Sequence, residues 1–186
     1  RSRSPRTHTF HTIYDGENKQ VEVKNSSSVT IGQYSYDGDG RRVKIYVPGT
    51  GETTIFVYDA AGKQIAEYST AAPPTNPTVN YTTTDHLGSP RVITDAIGQV
   101  TSRRDFLPFG EEITINVGSR STALRYGSSD DTVRQKFTGY QKDEETGLDF
   151  AEARMYENRY GRFTAVDPLL ASGKSANPQS FNRFIY

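Results

Sequence analysis

The sequence predicts an all-β fold: antiparallel hairpin repeats forming a twisted, spiralling sheet with little or no helix. Three observations predict it. A Tyr-Asp turn element recurs at Tyr14, Tyr36 and Tyr58, twice at a spacing of 22 residues, and a fixed period of this size marks stacked supersecondary units. The flanking segments alternate and are rich in β-branched and aromatic residues, as strands are. Helical periodicity is absent through residue 117.

Residues 1–12 read as a basic, solvated arm, RSRSPRTHTFH followed by Thr12. His8 and His11 within it would face opposite sides of a strand, which argues against chelation of a metal. The repeats occupy residues 13–70. Their turns are Tyr14-Asp15-Gly16-Glu17-Asn18, Tyr36-Asp37-Gly38-Asp39-Gly40 and Tyr58-Asp59-Ala60-Ala61-Gly62. The element returns without tyrosine at Asp85-His86-Leu87-Gly88 and Asp95-Ala96-Ile97-Gly98. The aspartate accepts a hydrogen bond from its own backbone two residues on. The last residue tolerates positive φ, so Gly40, Gly62, Gly88 and Gly98 suit the place, and Asn18 is the next-best left-handed residue. The pattern is a type I turn followed by a left-handed residue, which closes a short hairpin.

SVTIGQYSY places Val29, Ile31, Gln33 and Ser35 on one face, and Thr30, Gly32, Tyr34 and Tyr36 on the other. RVKIYV groups Val43, Ile45 and Val47, and TTIFVY and KQIAEYS continue the strands. Pro48-Gly49-Thr50-Gly51 reads as a connecting turn between copies. Residues 71–78, AAPPTNPT, form a surface loop because their three prolines cannot sit in a central strand. Residues 118–132 read as a second, polar and mobile loop. LDFAEARMYENRY is helix-permissive in composition and strand-compatible in alternation.

Composition narrows the function. Apolar residues are 33% of the 186-residue chain and mean hydropathy is −0.70, so a deep aliphatic core is not expected. Twelve tyrosines and nine phenylalanines supply much of the apolar material. Lys plus Arg and Asp plus Glu are 22 each, which lacks the basic excess of a nucleic-acid binder. With no cysteine there is neither a disulfide framework nor a thiolate metal site. No apolar run approaches a membrane span. The start RSRS and the end FNRFIY suggest cuts from something longer.

The second half carries an ordered set of motifs: DHLGSPR (85–91), PFGE (108–111), FTGY (137–140), ETGLDF (145–150), ARMY (153–156), GRF (161–163), DP (167–168) and FNRF (181–184). On these the chain resembles the Rhs/YD-repeat proteins, at the end of the repeat array and the Rhs repeat-associated core domain. The resemblance covers nearly the whole chain and makes residues 79–186 a core domain truncated at its C-terminal end. It implies hairpins spiralling into the wall of a hollow β-shell, favours strand for LDFAEARMYENRY, and implies an extracellular or cell-surface location in a bacterium. Some of these shells enclose a toxic polypeptide, and many cut their own chain with a pair of aspartates.

By its motif, Asp167 matches the first of those aspartates. An aspartyl dyad needs two carboxylates sharing a proton. The second family aspartate lies in a D-P-x-G element beyond FNRF, and the sequence stops at Tyr186 before one. Asp167 is therefore expected to be inactive here, ending a strand Arg162 to Val166 at Pro168, and the chain is expected not to be an enzyme. His86 reads as a structural turn residue. Lys142-Asp143-Glu144-Glu145 reads as a solvated hairpin tip. Glycosylation-type triplets at Asn25 and Asn80 are at the level of chance. No cofactor or metal is expected.

A sheet this short leaves strand edges unpaired and an aromatic face exposed. Two partners follow: copies of the same chain added edge to edge into an extracellular fibre or tube, or the remainder of a larger Rhs shell that delivers a toxin. A carbohydrate-binding surface adhesin using the tyrosine-rich strands is a further alternative.

Overall fold

The structure, a computed structural model, describes residues 10–71, 79–128, 131, 133–167, 182–184 and 186. Residues 1–9, with His8, most of the proline-bearing loop, and Pro168 lie outside them. The chain divides into two compact units, Arg1–Thr75 and Asn76–Tyr186.

In the first unit, β1 (His11–Tyr14), β2 (Gln20–Lys24), β3 (Thr30–Tyr36), β4 (Arg42–Val47), β5 (Glu52–Tyr58) and β6 (Gln64–Ser69) form one sheet in sequential order. Every neighbouring pair is antiparallel. The aspartates build the turns. Asp15 Oδ1 accepts the N–H groups of Glu17 and Lys19, each at 2.9 Å, while Asn18 N donates to the Asp15 carbonyl at 3.1 Å. Asn18 sits at φ 61°. The same bonds recur around Asp37, Asp59, Asp85 and Asp95, with Gly40, Gly62, Gly88 and Gly98 at positive φ. The extra residue shifts the register beside each repeat tyrosine: between Ile13 and Tyr14, Ser35 and Tyr36, and Val57 and Tyr58, the signature of a bulge closing a hairpin. Positive φ rather than lack of space selects glycine at the last turn position: the nearest atoms are the movable ends of long side chains, and a Cβ on Gly98 would meet nothing within 4 Å. A Cβ on Gly40 would stand 2.6 Å from Lys19 Nζ, and one on Gly62 would stand 3.0 Å from Arg41 Nε.

Asn25 builds the same turn, which the sequence reading passed over. Its Oδ1 accepts from Ser27 N at 2.9 Å and Val29 N at 3.1 Å, and Ser28 takes the left-handed place at φ 60°. Pro48–Gly51 closes β4 onto β5 through Gly51 N to Val47 O at 2.8 Å.

The core of this unit takes one residue from each of four strands: Val23, Tyr34, Ile45 and Phe56. Register explains the set. Val23 faces Gly32, Tyr34 faces Ile45, and Ile45 faces Thr54. The Gly32–Tyr34 face of β3 is thus the inner one. The expectation of an exposed aromatic face is corrected only for the inner face, where Tyr34 and Phe56 are 4% and 3% exposed, while Tyr14 and Tyr68 stay exposed. A long polar side chain does the covering at Tyr34. Arg42 is itself buried and its Cζ lies 4.4 Å from the Tyr34 ring centroid, an apolar stem and a cation laid over a ring face. Ile55, Val57 and Tyr68 are among the exposed residues of the sheet.

The second unit holds two sheets. β7 (Tyr81–Thr84), β8 (Pro90–Thr94) and β9 (Val100–Arg103) form one; β10 (Gln141–Lys142), β11 (Asp149–Ala151), β12 (Arg154–Glu157) and β13 (Arg162–Phe163) form the other. The helix-permissive LDFAEARMYENRY segment is a hairpin, with Glu152 at φ 57° in the tight turn between β11 and β12. Two single-turn 3₁₀ helices, Thr122–Leu124 and Phe137–Gly139, are the helical elements among the described residues.

Three expectations change here. The 118–132 loop is tied down where it is described: Arg120 Nε donates to Asp105 Oδ2 at 2.8 Å, and Arg103 N donates to Arg125 O at 2.9 Å. The strand expected over Arg162 to Val166 ends at Phe163. Thr164 N still donates to Met155 O of β12 at 2.8 Å, and the chain also pairs with the terminal segment, Phe163 N to Phe184 O at 2.8 Å and Asp167 N to Arg183 O at 3.0 Å. The 142–145 tip is not wholly solvated, because Asp143 is fully buried while Glu144 is exposed. Asp143 stands at the strand end of the turn, its N–H donating to Leu148 O at 2.9 Å.

Candidate functional site

The repeat tyrosine does more than occupy a strand. Tyr36 donates its hydroxyl to Gln20 O at 2.6 Å and Tyr58 donates to Arg42 O at 2.7 Å, each across sixteen residues. Gln20 and Arg42 open β2 and β4, so each tyrosine ties its strand to the first residue of a strand in the preceding copy. The 22-residue period therefore has a bond attached to it. Tyr58→Phe keeps the ring and removes the bond, and is expected to lower stability by about 1 kcal/mol. Urea unfolding checks this, and an unchanged midpoint would remove the tyrosine bond from the account. Tyr14, in the first copy, is 41% exposed.

Asp167 lies among arginines. Its Oδ2 is 3.8 Å from Arg154 Nη2, and its backbone carbonyl accepts from Arg183 Nη2. Arg154 Nη1 donates to Arg183 O at 3.1 Å, and Arg154 Cζ stacks 3.6 Å from the Phe163 ring centroid. The Asp167 carboxylate thus faces Arg154 of β12, while its backbone N–H and carbonyl meet Arg183 of the terminal segment. His86 is exposed within its turn, and His11 is exposed on β1. Asn80 is exposed before β7, whereas the Asn25 side chain is engaged in a turn. Among the described residues no group of three His, Cys, Asp or Glu side chains could hold a metal ion.

The carboxylates that sequence reasoning missed are Asp143 and Asp149, both buried. Asp149 Oδ1 is 3.4 Å from Lys142 Nζ, and Asn158 Nδ2 donates to Asp149 Oδ2 at 3.0 Å. Burial pushes the Asp149 carboxyl up to about 6; Lys142 and Asn158 work against the rise, and the nearby Asp143 charge adds to it. A raised value means that the folded chain holds the proton more tightly than the unfolded one. The resulting stability is full below the unfolded value of about 3.9 and is lost as pH rises through about 6, a change on the order of 2–3 kcal/mol. Asp149→Asn is expected to remove this step. Urea denaturation of both chains between about pH 4 and pH 7 checks it, and parallel pH curves would contradict it. The signal in the sequence was the lone aspartate inside the apolar run Leu148-Asp149-Phe150.

The family described as Teneurin YD-shell matches residues 2–186. Salivary gland surface protein 1 of Aedes aegypti is 36% identical over 86 residues, 46% of this chain and 2% of that protein. Double-stranded DNA deaminase toxin A of Burkholderia cenocepacia (strain H111) is 33% identical over 90 residues, 48% of this chain and 6% of that one. Among solved structures, the Photorhabdus luminescens Tc holotoxin pore aligns with a TM-score of 0.64 at 16% identity, over 95% of this chain and 9% of that chain. A crystal structure of TcdB2-TccC3-Cdc42 aligns with a TM-score of 0.63 at 19% identity, with the same coverage. At such identities these structures establish the fold alone. The chain spans a small fraction of every one of these proteins.

Proposed function

Because the chain belongs to the teneurin YD-shell family, we propose that it works as a non-enzymatic wall segment of a larger β-shell, outside the cell that makes it. The observation that carries this is the strictly sequential sheet β1 to β6, stitched copy to copy by tyrosine-to-carbonyl bonds. Such a sheet grows by adding further hairpins in the same register, and β1 and β6 are its outermost strands. Backbone edges of this kind take another strand. The likeness to a deaminase toxin and to Tc toxin structures supports a polypeptide cargo inside that shell. Asp167, paired with Arg154, holds the terminal segment in this reading. Electron microscopy of the native, full-length polypeptide tests it. A closed hollow particle is expected; a solid globule or a protein no longer than this chain would sink the proposal.

A second reading is favoured by one observation: the exposed Ile55 and Val57 on β5 and Tyr68 on the neighbouring edge strand β6. Here copies of the chain add edge to edge into a fibre, through head-to-tail contacts that do not close. Sedimentation over a concentration series separates the two. A monodisperse monomer at every concentration would end the fibre reading and leave the shell reading standing.

A further inference from the structure

Three side chains of the second unit meet in an arrangement that a plain ion pair does not require. Lys142 on β10 stands directly opposite Asp149 on β11, and Asp149 stands directly opposite Tyr156 on β12. Asn158 follows two residues later and returns to the same side. The Asp149 side chain is 1% exposed and its two oxygens are divided between two partners. Oδ1 lies 3.4 Å from Lys142 Nζ. Oδ2 accepts from Asn158 Nδ2 at 3.0 Å. Lys142 Nζ is steadied by a further bond to Gly147 O at 2.6 Å. An amine, a carboxamide and a buried carboxyl group bridging them are the reactants and the acid–base of a transamidation.

We propose that Lys142 and Asn158 join through an intramolecular amide bond, with Asp149 moving the protons and ammonia leaving. The nucleophile must be the neutral amine. Asp149 first takes one proton from the Lys142 ammonium, turning the ion pair into two neutral groups, which burial of the Asp149 carboxyl favours, its side chain being 1% exposed and that of Lys142 20%. Nζ then attacks Asn158 Cγ. The new C–N bond forms and the bond from Cγ to Nδ2 breaks. Asp149 gives a proton to the departing nitrogen and receives one from Nζ. Of the three hydrogens on the original ammonium, one stays on the amide nitrogen, one leaves in ammonia and one remains on Asp149. No oxidant or other reactant is needed. Lys142 and Asn158 lie on either side of β11, each held to the Asp149 carboxyl between them, so the reaction requires Nζ to close on Cγ across that group. Asp149 is the catalytic residue, because it touches both reacting groups.

The product would tie β10 to the residue just beyond β12, across β11. It would place a covalent clasp in the sheet that also carries the aromatic cluster of Tyr156 and Phe163. For a wall segment, that resists unzipping from an edge.

The experiment is intact-mass measurement of the purified full chain after incubation near neutral pH, followed by protease digestion and tandem mass spectrometry. The expected result is a mass short by one ammonia and a branched peptide joining Lys142 to Asn158. Lys142→Arg and Asp149→Asn are expected to keep the full mass, with folding checked by circular dichroism. The branched peptide is read from the unmodified sequence alone, so the test survives a variant that does not fold. A full mass in the folded chain overturns the proposal. So does an ammonia loss that persists in Lys142→Arg, which would mean an asparagine closing on its own backbone.

Discussion

Gly110→Ala is expected to lose about 2–5 kcal/mol of stability in the second unit. Gly110 closes the turn of the PFGE motif at φ 90°, where an L side chain is strained. It is also buried against Phe137. A Cβ there would stand 2.6 Å from Phe137 Cδ1, 2.7 Å from Cγ and 2.9 Å from Cβ. The ring has little room to retreat. Phe137 packs 5.9 Å from Phe106 and 6.0 Å from Tyr186, centroid to centroid. Its backbone is fixed by Thr138 N donating to Ser89 Oγ at 2.9 Å and by Tyr140 N donating to Phe137 O at 3.1 Å. Gly98→Ala separates the two contributions. Gly98 has a similar φ of 81° and nothing within 4 Å of the added carbon, so that variant should lose only the backbone share, about 1–2 kcal/mol. Urea midpoints of the two variants give the comparison. If Gly110→Ala falls no further than Gly98→Ala, packing against Phe137 is not what holds the glycine in place.

What the sequence made legible is local. Asp15, Asp37 and Asp59 announce their turns because every bond they make lies within four residues. Asn25 obeys the same chemistry but was missed, since no tyrosine precedes it and serine stands where glycine or asparagine was sought. Leu107 closes the same backbone turn, Gly110 N to Leu107 O at 2.9 Å, with no side-chain oxygen to advertise it. Motif order pointed to the family, and the inner face of β3 followed once the register was known. The burial of Asp143 was not legible, because acidic residues beside a turn ordinarily face water, and that of Asp149 showed only in its apolar neighbours Leu148 and Phe150. Nor was the fate of Asp167: its arginine partner sits 13 residues away on β12, and its family motif describes chemistry that needs a second carboxylate. Contacts between distant segments, such as Arg104 with Asp131, have no period and no spacing rule.

Arg104→Met is expected to cost about 3–5 kcal/mol, the penalty for removing one member of a buried ion pair. The Arg104 side chain is 0% exposed and that of Asp131 is 8% exposed. Arg104 Nε donates to Asp131 Oδ2 at 2.5 Å, its Nη2 donates to Asp131 Oδ1, and Ser102 Oγ adds a bond at 2.9 Å. The same guanidinium reaches Gln135 O at 2.6 Å and Val133 O at 2.9 Å, so one side chain fixes the path of the segment that leads to Phe137. Burial alone would raise the Asp131 carboxyl; the hydrogen bonds and charges of Arg104 and Lys136 reverse this and hold it below the ordinary range. A lowered value means stability that is present above the unfolded value of about 3.9 and lost as pH falls through the folded one. Methionine fills much of the volume but takes the guanidinium from the Asp131 carboxylate, leaving Lys136 Nζ 3.8 Å away, and removes the donors to the Val133 and Gln135 carbonyls. Asp131→Asn in the same chain should recover part of the loss, about 0.5–3 kcal/mol of coupling between the two sites. Thermal or urea unfolding of the two single variants and the double variant measures it. Strict additivity would mean that Arg104 acts through the Val133 and Gln135 carbonyls alone, and that its pairing with Asp131 adds nothing to the fold.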